Sequence, residues 1–117
     1  MKLQVKRIYE EKARGDGMRI LVDRVWPRGM TKEAAALASW HKEVAPSAAL
    51  RKWFGHDPAR WDEFKKKYRR ELDSNEEQVA SLKKEVGNRR ATLLYGARDE
   101  VHNHAVVLAD YLRGKEG

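Results

Sequence analysis

"MRILVD" (residues 18–23) is the stretch on which the fold turns. It is short, mainly apolar and lacks polar alternation, which suits a strand buried on both faces of a sheet. Polar "EEKARGDG" (10–17) precedes it and ends in Gly-Asp-Gly turn chemistry. A second run of the same kind, "ATLLYG" (91–96), lies some seventy residues on. "LQVKRIY" (3–9) alternates more clearly and reads as a further strand.

Between the second and third of these runs the pattern is helical. Thr31 can cap "KEAAALASW" and Ser47 can cap "AALRKWF", where Leu50, Trp53 and Phe54 share one face. Asp57-Pro58 pairs an N-cap acceptor with proline at the first helical position. The helix after it carries Trp61, Phe64, Tyr68 and Leu72 as a stripe. Ser74-Asn75-Glu76-Glu77 has capping-box spacing and opens a helix with Val79, Leu82 and Val86, closed by Gly87-Asn88. Asp99 is placed to cap a final helix with Val101, Ala105, Leu108 and Leu112 inward. The expectation is one α/β domain over 1–117: a small, mostly parallel sheet flanked by helices, with a helical insertion at about 31–87 between the second and third strands.

Composition narrows the chemistry. The chain has 117 residues and no cysteine, which excludes thiol nucleophiles, disulfides and thiolate metal sites. No run reaches the ~18–20 apolar residues of a membrane span, and "MKLQVKR" has no apolar signal core, so a cytoplasmic protein with no membrane partner is expected. Lys and Arg number 25 against 18 Asp and Glu, a formal charge of +7. That excess favours anionic partners and equally serves solubility.

In open parallel sheets, ligands bind beyond the carboxyl ends of the strands. Beyond "MRILVD" lie Asp23, Arg24, Trp26 and Arg28; beyond "ATLLYG" lie Arg98, Asp99, Asn103 and His104. If the strands run parallel, the two groups converge. Arg24, Arg28 and Arg98 would then bind a phosphate or carboxylate with Asn103, and Trp26 could serve as a stacking platform for the ligand, while Asp23, Asp99 and His104 are the candidate acid, base or orienting groups. The opposing account pairs Asp23 with one arginine and Asp99 with another as structural ion bridges, and buries Trp26 as a core plug. "HNH" at 102–104 points its histidines about 200° apart on a helix, which does not suit chelation, so neither a metal nor another cofactor is expected. His102 would face solvent.

A separate basic surface comprises Lys65, Lys66, Arg69, Arg70, Arg89 and Arg90. It could follow a nucleic-acid backbone, or be a solvated helix face in which Glu63 and Glu71 pair with Lys67. The tryptophans could anchor a protein partner, although Trp53 and Trp61 fall on apolar stripes. The spacings of dinucleotide loops, P-loops and Gly-x-Ser-x-Gly elbows are absent.

Four strings together, "VKRIYE" (5–10), "DGMRILVDRVWPRGMTKE" (16–33), "APSAALRKWFGHDPARWDEFKKKYRREL" (45–72) and "ATLLYGARDEVHNHAVVLADYL" (91–112), resemble the YeaO-like branch of the bacterial DUF488 family. In longer members a strand ends in an "LVDVR"-like segment, and a later strand leads to a helix beginning Cys-His-Arg. The resemblance implies that Asp23 and Arg24 sit near the first feature, with Arg24 offset by one residue. Asn103-His104-Ala105 occupy the second, where His104 alone carries over. Thiol chemistry of longer members has no counterpart in a chain without cysteine. The family resemblance places both strand ends in one site but names no reaction.

Overall fold

A computed structural model describes residues 1–114. Strands β1 (Lys2–Arg7), β2 (Met18–Leu21), β3 (Ser39–Trp40) and β4 (Arg90–Tyr95) form one sheet in the order β1-β4-β2-β3. All pairings are parallel, with Leu93 of β4 opposite both Val5 and Ile20. The expected sheet is therefore formed, and the two apolar runs are its central strands.

Period-two alternation divides the core between the faces. Ile20, Val22, Ala91, Leu93 and Tyr95 pack under helices α2 (Ala48–Phe54), α3 (Trp61–Asp73), α4 (Glu76–Val86) and α5 (His104–Leu112). Leu21 and Leu94 face the other way, where Ile8, Ala35, Trp26, Met30 and Leu37 make a thinner cover with the one-turn helix α1 (Lys32–Ala35). That second face is partly ionic. Asp16 accepts from Arg19 Nη1 at 2.6 Å and Lys6 Nζ at 3.1 Å, and its carbonyl accepts from buried Thr92 Oγ1 at 2.7 Å.

The insertion departs from its expected form in two places. Thr31 does cap a helix, through a 3.1 Å bond from Ala34 N–H, but the helix stops after one turn with Ala36 left-handed at φ 47°. The chain then runs extended as β3: Ala38 N–H reaches the Arg19 carbonyl, and His41 N–H the Leu21 carbonyl. Cross-strand bonding overrides the helix propensity of "KEAAALASW". Further on, Ser74 does not cap α4. Asn75 is its N-cap, without a capping side-chain bond, and its Nδ2 donates to the Glu43 carbonyl at 2.8 Å.

Candidate functional site

The carboxyl ends of β2 and β4 open into a cleft of about 520 Å³. Asp23 and Arg24 leave β2 at its floor; Gly96 and Ala97 leave β4 beside them; His102, Asn103 and His104 bring the start of α5 to the same rim. The two sequence segments separated by some seventy residues do meet. Arg24 and His104 both line the cleft.

Asp23 ties the strand ends together. Its Oδ2 accepts from Gly96 N–H at 2.9 Å, and His104 Nε2 stands 3.2 Å from Oδ1. His104 Nε2 also donates to the Val22 carbonyl at 3.0 Å, which fixes the proton on that nitrogen because a carbonyl only accepts. Asp23 thus pairs with a histidine, not with an arginine. Arg24 spans to the insertion instead, donating to the carbonyls of Ala45 (3.0 Å) and Pro46 (3.2 Å).

Those bonds position the second wall. Tyr68 of α3 donates to the Val44 carbonyl at 2.5 Å, and burial raises its phenol well above the usual range. Glu71 accepts from both the N–H (2.8 Å) and the hydroxyl (2.6 Å) of Ser47, whose Oγ caps α2 by accepting from Leu50 N–H. The expected Glu71–Lys67 pair gives way to this contact, and Lys67 lies over Trp53. Segment 44–47 is held from three directions, so α2 presents Arg51 and Lys52 to the cleft above an apolar floor of Phe54 and Phe64. His56, left-handed at φ 57°, closes the edge; Tyr9 and Arg28 face it, joined by a 2.8 Å bond from the Tyr9 hydroxyl to the Arg28 carbonyl.

The other expected site residues distribute unevenly. Asn103, not Asp99, caps α5, its Oδ1 accepting from Val106 N–H at 3.1 Å. Asp99 holds the preceding turn, accepting from the N–H groups of Val101 (2.9 Å) and His102 (2.8 Å) and from His102 Nδ1 (2.9 Å). The His102 bonds chiefly, with that from Val101, pull its carboxyl down to about 2. His102 is only partly exposed: it lines the cleft, with its ring edge-on to Trp61 at 5.2 Å. Arg98 is exposed and does not line the cleft. Trp26 lies in the thinner core, 5.5 Å edge-on from Trp40 and bonded to the Met30 carbonyl at 2.8 Å.

The basic surface is partly committed. Lys65 bridges Asp62 at 3.5 Å and lies over Trp61, and Arg89 binds the Glu85 and Val86 carbonyls at the end of α4. Lys66, Arg70 and Arg90 are exposed, and Arg69 is half-buried on α3. Among the described residues no group of three or more His, Asp or Glu is placed to hold a metal ion, and no helix is long and apolar enough to cross a membrane.

Arg51, Lys52 and His56 are not read as site residues in the sequence because they lie on or just after a helical face; Tyr9 lies just past β1, which the sequence does not assign to the site, and His102 figures there only as one of an unsuitable metal pair. A usable signal existed for two of them: Arg51 and Lys52 have no acidic residue within one helical turn.

An open parallel sheet covered by helices, with a cleft at its strand ends, defines a small α/β protein. Comparison makes this specific. The family model described as "Inactive DUF488-N3 subclade" matches residues 2–116. The chain is 43% identical over 113 residues to "Uncharacterized protein YeaO" of Escherichia coli K12, covering 97% of this chain and 98% of that protein. It is 40% identical over 114 residues to "Uncharacterized protein Rv3073c" of Mycobacterium tuberculosis H37Rv, covering 97% and 96%. No solved structure matches significantly. The chain belongs to the YeaO-like branch of the DUF488 family.

Proposed function

We propose that the strand-end cleft binds a small anionic ligand of nucleotide-like shape, and that the protein acts through this binding rather than through catalysis. The observation that carries the reading is an imbalance of charge. Arg28, Arg51 and Lys52 line the cleft with no carboxylate partner among the described residues, and Asp23, the one lining carboxylate, already accepts from Gly96 N–H through Oδ2. Unpaired cations around a concave, partly apolar surface favour an anion carrying an apolar body. Phe54, Phe64, Pro27 and Pro46 supply that apolar surface. The subclade's description as inactive and the asparagine at position 103 both favour binding over turnover.

A thermal-shift panel of nucleoside mono- and diphosphates tests the reading. A ligand at 100 times its Kd adds about 2.7 kcal/mol, or several degrees. The Arg51→Glu/Lys52→Glu variant is expected to lose the shift while keeping its own melting temperature. Equal melting with and without every phosphate compound would refute it.

A further inference from the structure

His102 enters the cleft with one ring nitrogen already committed. Nδ1 is 2.9 Å from Asp99 Oδ2, and Asp99 is itself fixed by two backbone N–H groups and held anionic. The proton of a neutral His102 therefore sits on Nδ1, facing the carboxylate, and Nε2 is the nitrogen that a further proton would occupy. The other histidines differ. His104 uses Nε2 on the Val22 carbonyl, His41 Nε2 meets Glu85 at 2.5 Å away from the cleft, and His56 has no carboxylate behind it.

The charges around His102 are mostly positive. Arg51 and Lys52 of α2 and His56 share its cleft, with Arg24 and His104 at the floor beside Asp23. On α3, Lys65 lies over the Trp61 ring that His102 touches and is bridged to Asp62. On its own loop, Arg98 and Glu100 are exposed, and Asp99 makes direct contact. Arg24, Arg51 and Lys52 oppose a further positive charge in the cleft. A bound dianion reverses that field, while Asp99 supports the imidazolium from behind.

Building on the anion-binding reading, we propose that the ligand is a phosphate monoester and that His102 takes up a proton from solvent as it binds, donating from Nε2 to the phosphate. A phosphodiester, with a single negative charge, offsets the surrounding cations less and drives less uptake.

Calorimetric titration with adenosine 5′-monophosphate, in two buffers of different ionisation enthalpy at pH near 7.5, measures the uptake. The expected result is net proton uptake and a Kd that rises by up to about tenfold towards pH 8.5, where the monoester is already the dianion (second pKa near ~6). Adenosine 3′,5′-cyclic monophosphate is expected to bind more weakly and with less uptake. His102→Gln should abolish the uptake and Asp99→Asn should reduce it. Ring-nitrogen NMR of the histidine-labelled wild type gives the same answer without a substitution: the His102 resonances should move towards the imidazolium position on adding the monophosphate. Binding heat independent of buffer, uptake unchanged in His102→Gln, or an unmoved His102 resonance in the bound protein would overturn the proposal and leave the cleft reading standing. No binding of either nucleotide would overturn both.

Discussion

Gly96 shows how tightly single residues set the site. A Cβ placed there would stand 3.0 Å from Asp23 Oδ2, the oxygen that receives the Gly96 N–H. Gly96→Ala is therefore expected to displace the Asp23 carboxylate and weaken ligand binding more than it lowers the melting temperature, a contrast that calorimetry and thermal unfolding read together. Gly17 is constrained differently. Its φ of 62° and ψ of −134° lie where side chains are strained, and a Cβ would come 2.3 Å from the Arg90 carbonyl oxygen. Gly17→Ala is expected to destabilise the fold by more than about 1 kcal/mol in urea unfolding, with ligand affinity unchanged per folded molecule. Asp16, beneath it, is nearly buried with Arg19. Burial opposes its ionisation, but the Ala13 N–H and the Lys6 and Arg19 side chains outweigh this and lower its carboxyl from the ordinary value. Removing one partner of a buried pair costs about 3–5 kcal/mol, so Asp16→Ala should be among the most destabilising single changes.

At the scale of elements, the turn before α5 carries a pH signature. The Asp99 carboxyl is depressed from 3.8 to about 2. A group whose folded value is depressed stabilises the protein above its unfolded value, and the contribution fades as pH falls through that interval. The melting-temperature difference between wild type and Asp99→Ala should accordingly shrink as pH falls from about 4 towards 2; a difference constant over that interval would contradict the role given to Asp99. The elements also show what was legible in the chain. Strand-end residues such as Asp23 and His104 could be located because short apolar runs imply parallel strands, and the rule for such sheets then names the rim. Arg51 and Lys52 could not be placed there, because what brings α2 over the sheet is non-local: Arg24, Tyr68 and Glu71 gripping segment 44–47. β3 was hidden for a related reason, since Ala36 adopts a left-handed turn without the glycine that would announce it. Asp99 and Asn103 both suit a cap; the length of the turn between them decides in favour of Asn103, and nothing local encodes that length.

At the scale of the whole molecule, one group of positive charges lines the cleft and another lies on the outer faces of α3 and the α4–β4 turn. Lys65 and Arg89 are engaged by neighbouring groups, whereas Arg28, Arg51 and Lys52 surround a recess without acidic partners among the described residues. The ligand reading of the cleft predicts from charge placement that Lys66→Glu/Arg70→Glu leaves adenosine monophosphate affinity within about twofold, while a nucleic-acid role for the outer surface would show as oligonucleotide binding that falls steeply with salt and is lost in that variant. Amide NMR of the labelled protein titrated with adenosine monophosphate decides most directly between the two locations. Shifts are expected at Gly96, Ala97, Arg51, Lys52 and His102–His104. Shifts confined to the outer faces of α3 and the α4–β4 turn, or none at all, would contradict a ligand cleft at the strand ends.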